Sequence, residues 1–303
     1  MTIRATRRGA ARTLVALGLL TLGACATGGS CTLRKVAQLP LAADSPVAVA
    51  QVRIDGRAAM MVLDTGAQEV FLTPSGARRL GLREDPGLRG QAAGIGGTVT
   101  ALGTTLGTLS LGAGELRDIR AAVVNQELPQ AGAVRVDGLL GMSALNHYDI
   151  DLNMAARHAT LYAGPVCANG PPRWPGMQRI EARSLNGVFV IPVKLDSHPY
   201  QAMVDSGSQS NVLFTDARGI AFALRHRLPG GLLHGVGPNS THAFEARFAR
   251  LEVGHETLQD VPFVVTERRP GAPDIVLGQP FLARHRVWFS AQRRALFVAP
   301  GSR

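Results

Sequence analysis

Met60-Met61-Val62-Leu63-Asp64-Thr65-Gly66-Ala67 is the stretch that decides how this chain is read, because it returns as Gln201-Ala202-Met203-Val204-Asp205-Ser206-Gly207-Ser208. Each copy is a short apolar run that ends in Asp, followed by a small hydroxyl residue and Gly. An apolar run of that length, bounded by turn residues, reads as a buried strand. A carboxylate at the end of a buried strand is costly unless it has partners. Two of them, placed alike in two halves of one chain, read as each other's partner.

Working outward, the repeat extends in both directions. Residues 46–54 alternate into Asp55-Gly56, a hairpin signal that feeds the first Asp strand. Val188–Leu195 runs into Asp196-Ser197-His198-Pro199, a turn that feeds the second strand at 200–204. Downstream, Val70-Phe71-Leu72-Thr73 matches Val212-Leu213-Phe214-Thr215, with a short helix expected after each, over Pro74–Leu80 and 216–224. Gly-rich hairpin tips follow at Gly94-Ile95-Gly96-Gly97 and Gly235-Val236-Gly237, then strands at 105–111 and 244–253 that close on Gly turns. Residues 119–124 match 261–265, and Asp137-Gly138-Leu139-Leu140-Gly141 matches Asp274-Ile275-Val276-Leu277-Gly278. A last pair of strands is expected in each half, 148–152 with 159–162 and 286–289 with 295–298.

The two Asp stand 141 positions apart and the two closing Gly 137. A register held that closely through five matched features is internal duplication. Gly170-Pro171-Pro172 and Pro175 punctuate the break between the halves. The expected division is 1–24 leader, 25–35 tether, 36–165 first lobe, 166–177 linker and 178–303 second lobe.

With 303 residues, 46% hydrophobic and 18% charged, the chain has an ordinary globular composition, and 35 Gly with 18 Pro favour a turn-rich, mostly β protein. The net charge is +10, of which Arg4, Arg7, Arg8 and Arg12 supply four. No Lys/Arg run remains that would mark a nucleic-acid surface, so no nucleic acid is expected as a partner. Residues 1–12 and the apolar run 13–24 form the n-region and h-region of a secretory signal peptide. Leu22-Gly23-Ala24-Cys25 resembles the lipobox of bacterial lipoproteins, which implies a lipid-bearing Cys25 as mature N-terminus and a membrane contact through that anchor. Ala26 after the Cys, by the same resemblance, directs the protein to the periplasmic side of the outer membrane. Cleavage after Ala24-Cys25-Ala26 is the competing reading. Cys31 and Cys167 then remain, either as a disulfide or as two free thiols.

The paired Asp64-Thr65-Gly66 and Asp205-Ser206-Gly207 triplets, the Leu139-Leu140-Gly141 and Val276-Leu277-Gly278 signals and the Gly-rich tips together resemble the pepsin and retropepsin type of aspartic protease over residues 45–300. The resemblance implies an all-β, bilobal double β-barrel with short helices, and a peptide or protein substrate. The residue types fit that chemistry on physical grounds. Two adjacent carboxylates do not both ionise readily, so one acts as acid and the other as base on an attacking water. Gly66 and Gly207 allow close backbone approach. Thr65 and Ser206 correspond to family residues that hold the two loops together. Gly94, Ile95, Gly96, Gly97, Gly235, Val236 and Gly237 correspond to substrate-covering flaps. Neither tip carries the Tyr of pepsin-like flaps.

Other chemistries lack their motifs. The eight His show no metal-ligand spacing, and neither Gly-x-Ser-x-Gly nor a phosphate-loop signature occurs. No metal or organic cofactor is expected. The reading is a single-chain aspartic endopeptidase, active as a monomer, with Asp64 and Asp205 as its catalytic pair. A catalytically silent binding module for an envelope peptide or partner on the same cleft is the alternative. A third reading pairs lobes between chains in an obligate dimer.

Overall fold

Asp55 and Gly56 take positive φ (47° and 76°), as do Asp196 and Ser197 (45° and 70°), so each half opens with a two-residue hairpin turn. The second turn is tighter than its four-residue sequence signal, and His198 and Pro199 already belong to the strand His198–Val204. The computed structural model describes residues 33–94, 97–128, 132–164, 173–224, 232–233, 241–268 and 271–301. The leader, Cys25, Cys31, Cys167, the tip residues Ile95 and Gly96, and Gly235, Val236 and Gly237 lie outside them.

Each hairpin grows into a closed barrel. In the first half the neighbours run Val49–Ile54, Arg57–Leu63, Gly138–Leu140, Val70–Leu72, Gly114–Val124 and Gly97–Leu111, and the last strand returns to the first where Ile54 faces Leu109. In the second half they run Val188–Leu195, His198–Val204, Ile275–Leu277, Val212–Thr215, Glu256–Glu267 and Thr241–Val253, closed where Leu195 faces Leu251. Two six-stranded barrels result, and closure removes their free edges. Within each, the strand leading to the Asp lies parallel to the strand leading to the Gly signal, with Leu63 opposite Leu140 and Val204 opposite Leu277. These pairings need the long connections that separate the motifs in sequence.

A third sheet joins the halves, in the order Arg34–Pro40, His158–Ala163, Asp149–Asn153, His285–Ser290, Ala295–Pro300 and Gln178–Glu181. Its centre is the antiparallel pairing of Asp149–Asn153 with His285–Ser290, one strand from each half. Alternation sends Ile150, Leu152, Val287 and Phe289 into the apolar core that runs through both barrels. The opposite face carries Asp149, Asp151, Trp288 and Ser290. The two final hairpins expected from sequence are therefore not the ends of separate lobes but the seam between them.

Helix Pro74–Leu80 has the bounds expected. Thr73 caps it by accepting the Gly76 N–H at 2.9 Å, and Gly81 ends it in the left-handed region (φ 68°). Ala217–Ala223 starts after Asp216, which accepts the Gly219 N–H at 2.9 Å. The four-residue helices Met142–Leu145 and Gln279–Leu282 were not anticipated, being too short to show a period. The strands Arg34–Pro40, Asp85–Gly94 and Gln178–Glu181 were also missed. Asp85–Gly94 is rich in Gly with a Pro, and its ladder comes wholly from the neighbouring Gly97–Leu111.

Candidate active site

The two Asp loops meet at the seam of the barrels, and their hydroxyl residues interlock. The Oγ of Ser206 accepts the Thr65 N–H at 3.1 Å and donates to Leu63 O at 2.5 Å. The Oγ1 of Thr65 accepts the Ser206 N–H at 3.0 Å and donates to Val204 O at 2.8 Å. Each hydroxyl thus spends its proton on the carbonyl before the opposite Asp and its lone pair on the opposite loop. Both residues are buried, at 2% and 0% exposure. A hydroxyl can both donate and accept, which is why the position needs Ser or Thr.

The Gly residues explain how close the carboxylates come. A Cβ on Gly66 would lie 2.4 Å from Cγ of Asp205, and one on Gly207 would lie 2.7 Å from Cγ of Asp64. Each carboxylate therefore rests on the glycine of the other half. Asp64 Oδ1 accepts the N–H groups of Gly66 and Ala67, both at 2.9 Å, and Asp205 Oδ1 accepts that of Gly207 at 2.8 Å. The strands reach them from behind: the Asp64 N–H bonds Leu140 O and the Asp205 N–H bonds Leu277 O, both at 2.9 Å.

Both carboxyls are shifted upward. Loss of hydration pushes Asp64 well above the ordinary range, and the charge of Asp205 and a hydrogen bond with it add to the shift, against the Gly66 and Ala67 N–H groups. Desolvation also raises Asp205, opposed by the Gly207 N–H, a hydrogen bond with Asp64 and the N–H groups of Ser208 and Gly66. Both Asp residues keep partial solvent exposure. A hydrogen bond between two carboxyls needs one proton, and that proton belongs to the pair.

The repeat carries a second matched pair whose role the sequence did not reveal. Asp137 Oδ2 accepts the Met60 N–H at 2.8 Å, and Arg79 grips both of its oxygens. Asp274 Oδ2 accepts the Gln201 N–H at 2.8 Å and Oδ1 pairs with Arg268 at 2.5 Å. Each of these carboxylates ties the start of the Gly strand to the strand that leads to the Asp. The arginines come from unrelated positions, a helix end in one half and a strand end in the other, so no motif betrays them. One support is asymmetric: Gln279 Nε2 donates to Ser206 O at 3.3 Å, where the first half has Met142.

On the seam sheet, Asp151 is buried and bidentate with Arg286 at 2.8 and 2.6 Å, and the guanidinium lies 4.0 Å from the Trp174 ring centre. Asp149 accepts from Trp288 Nε1 at 3.1 Å, from Ser290 Oγ at 2.9 Å and from Arg293 at 3.2 Å. Both clusters join residues of the two halves. Of the expected flap positions, Gly94 and Gly97 face each other at the end of the hairpin Asp85–Gly94/Gly97–Leu111. In the second half Leu232–Leu233 pairs with Thr241 and His242.

Two barrels related by duplication, joined through paired Asp-Thr/Ser-Gly loops, define the aspartic-protease class of fold. Family comparison places the chain there: residues 50–147 match the model described as "gag-polyprotein putative aspartyl protease" and residues 191–281 match the model described as "Aspartyl protease". The chain belongs to the aspartyl protease family as a tandem duplication of the retropepsin-like domain. No curated protein sequence matches it.

Proposed function

We propose that this chain is an aspartic endopeptidase whose Asp64 and Asp205 activate one water in the cleft between the lobes. The observation that carries the reading is the reciprocal lock of Thr65 and Ser206, which holds two hydrogen-bonded carboxyls on each other's glycine. In the first step the ionised carboxylate takes a proton from the water as its oxygen bonds the peptide carbonyl carbon. The protonated carboxyl gives its proton to the carbonyl oxygen, forming a tetrahedral diol. In the second step a diol hydroxyl returns its proton to a carboxylate, the amide nitrogen receives one, and the C–N bond breaks. The pair ends with the single proton it began with.

An extended peptide suits this cleft, since it can bond as an added strand. An apolar cluster on the outer face of the first barrel includes Val62 and Leu139, with Ala67 and Phe71 packed against it. It flanks Asp64 and favours an apolar substrate side chain. Because one chain supplies both Asp loops, a monomer suffices. The leader and Cys25 support a lipid-anchored protein at the periplasmic side of the outer membrane. Cys31 and Cys167 are proposed as a disulfide: the described ladder ends at Arg34 opposite Ala163, three and four residues short of them. Non-reducing peptide mapping that finds two free thiols would dismiss it.

The test of activity is cleavage of a diverse peptide mixture by the purified protein from acid to neutral pH, beside Asp64→Asn, Asp205→Asn and a statine-type inhibitor. Cleavage lost in both variants and blocked by the inhibitor supports the shared dyad. Folded protein that cleaves nothing at any pH refutes it and leaves the peptide-binding module.

A further inference from the structure

The outer wall of the first barrel holds a cavity of about 260 Å³ that plays no part in the cleft. Its lining includes Gln51, Ala58, Ala59, Arg79, Arg135 and Asp137. The Arg79–Asp137 pair is internally spent. Arg79 grips both carboxylate oxygens and also donates to Ala58 O at 3.0 Å, while Asp137 accepts the Met60 N–H. Arg135 is exposed and makes no ion pair among the described residues. The hairpin that supplies Gln51 and Ala58 also carries Arg57, whose Nη1 reaches Arg79 O at 3.5 Å, and Arg53, which donates to Gly56 O at 2.9 Å. The acid of that hairpin, Asp55, accepts the Thr108 N–H at 2.7 Å on another strand. Among the named lining residues Arg135 is therefore the one cation without a carboxylate partner.

The duplication supplies an internal comparison. The positions equivalent to Gln51, Ala58, Ala59 and Arg135 are Pro192, Pro199, Tyr200 and Ala272. Tyr200 packs against the core, in the field of Asp274 and Arg268. Bulk thus stands in the second half where the first has alanines, and the extra cation is absent. Lys194, the counterpart of Arg53, faces Glu252 at 3.4 Å. Elsewhere in the second half Arg247 pairs with Asp260 and Arg250 with Glu252. The same scaffold with the same need for a brace on Asp137 or Asp274 thus does not require the hollow or its free cation.

We infer that this cavity binds a compact oxyanion of the phosphate type, with the Arg135 guanidinium as its fork and the Gln51 amide as a neutral donor. A planar guanidinium matches phosphate oxygens two at a time. The uncompensated cation calls for an anion, and the one carboxylate named in the lining, Asp137, is held by Arg79 and by the Met60 N–H. Free phosphate, a phosphomonoester and a lipid headgroup share this chemistry.

The test is calorimetric titration of the purified protein with inorganic phosphate at low ionic strength, with a parallel arm of phosphatidylglycerol and phosphatidylcholine vesicles. The variants are Arg135→Gln, Ala58→Tyr, which fills the hollow from an exposed position, and Arg247→Gln as a control in the second barrel, paired with Asp260. The expected result is saturable binding at one site, weakened about ten-fold or more by the first two variants and unchanged in the control. Binding confined to phosphatidylglycerol vesicles and lost in Arg135→Gln assigns the headgroup as the source. Absence of saturable binding in both arms overturns the inference. So does binding that survives Arg135→Gln and Ala58→Tyr, or that falls equally in the control, since either result leaves only diffuse surface charge. Circular dichroism of each variant keeps misfolding separate from loss of the site.

Discussion

Replacing Ser206 by Ala tests whether the interlock between the Asp loops holds the two halves together. Ser206 is fully buried, and its Oγ serves the Thr65 N–H at 3.1 Å and Leu63 O at 2.5 Å. Alanine leaves both backbone groups without a partner in a space that a methyl side chain does not open to water. An orphaned buried polar group costs about 1–3 kcal/mol, so two set the expected loss at roughly 2–6 kcal/mol. That is a large share of a total stability of about 5–15 kcal/mol. Urea unfolding followed by fluorescence measures it, since Trp288 lies buried on the seam sheet. Thr65→Val should cost a similar amount by the mirrored pair of bonds, to the Ser206 N–H and Val204 O. The double variant should fall short of the sum by about 1 kcal/mol or more, because the first loss already loosens the partner loop. Ser206→Thr should restore most of the stability, since Thr65 fills the equivalent role across the seam. A Ser206→Ala loss below about 0.5 kcal/mol, the range of ordinary surface changes, would refute the reasoning.

Gly66→Ala should abolish peptide cleavage, because its Cβ would lie 2.4 Å from the Asp205 carboxyl carbon, while Gly90→Ala, with open space around it, should leave cleavage intact; equal activities would contradict the packing of carboxylate on glycine. Asp64→Asn should gain stability over the parent as pH rises from acid to neutral. The folded pair titrates above the unfolded carboxylates, so its contribution is fully present below the unfolded value and lost as pH climbs through the raised one. Thermal melts across that range measure the gap, and a gap that shrinks with pH would contradict the sign. Arg286→Ala should cost about 3–5 kcal/mol by stranding Asp151, whose side chain is 1% exposed. Arg247→Ala, at an exposed pair, should cost under about 1 kcal/mol; similar losses from chemical denaturation would undo the distinction.

The duplication was legible because it is written in local signals: apolar strand, Asp, hydroxyl, Gly, and again an apolar pair ending in Gly. Turn chemistry at Asp55-Gly56 and the Pro74 helix start were equally plain, since φ preference and capping act within a few residues. The braces were not. Asp137 looks like any turn carboxylate until Arg79 arrives from a helix end, and Asp274 meets an arginine from a different element altogether. Asp149 and Asp151 fall inside the expected strand 148–152 with no local sign of what they meet, yet they lie buried at the centre of the seam sheet, balanced by Arg293 and Arg286 from the other half.

What the sequence determined by itself was the pair of half-sites, because a strand, its terminal Asp and the Gly beside it are specified by near neighbours and by a repeat that can be counted. Only the tertiary structure decided how the half-sites face each other. The hydroxyl of each loop finds its acceptor 139 to 143 residues away, and a glycine in one half makes room for a carboxylate of the other. Such contacts arise when two barrels close and a shared sheet sets their approach, and no local periodicity encodes that distance.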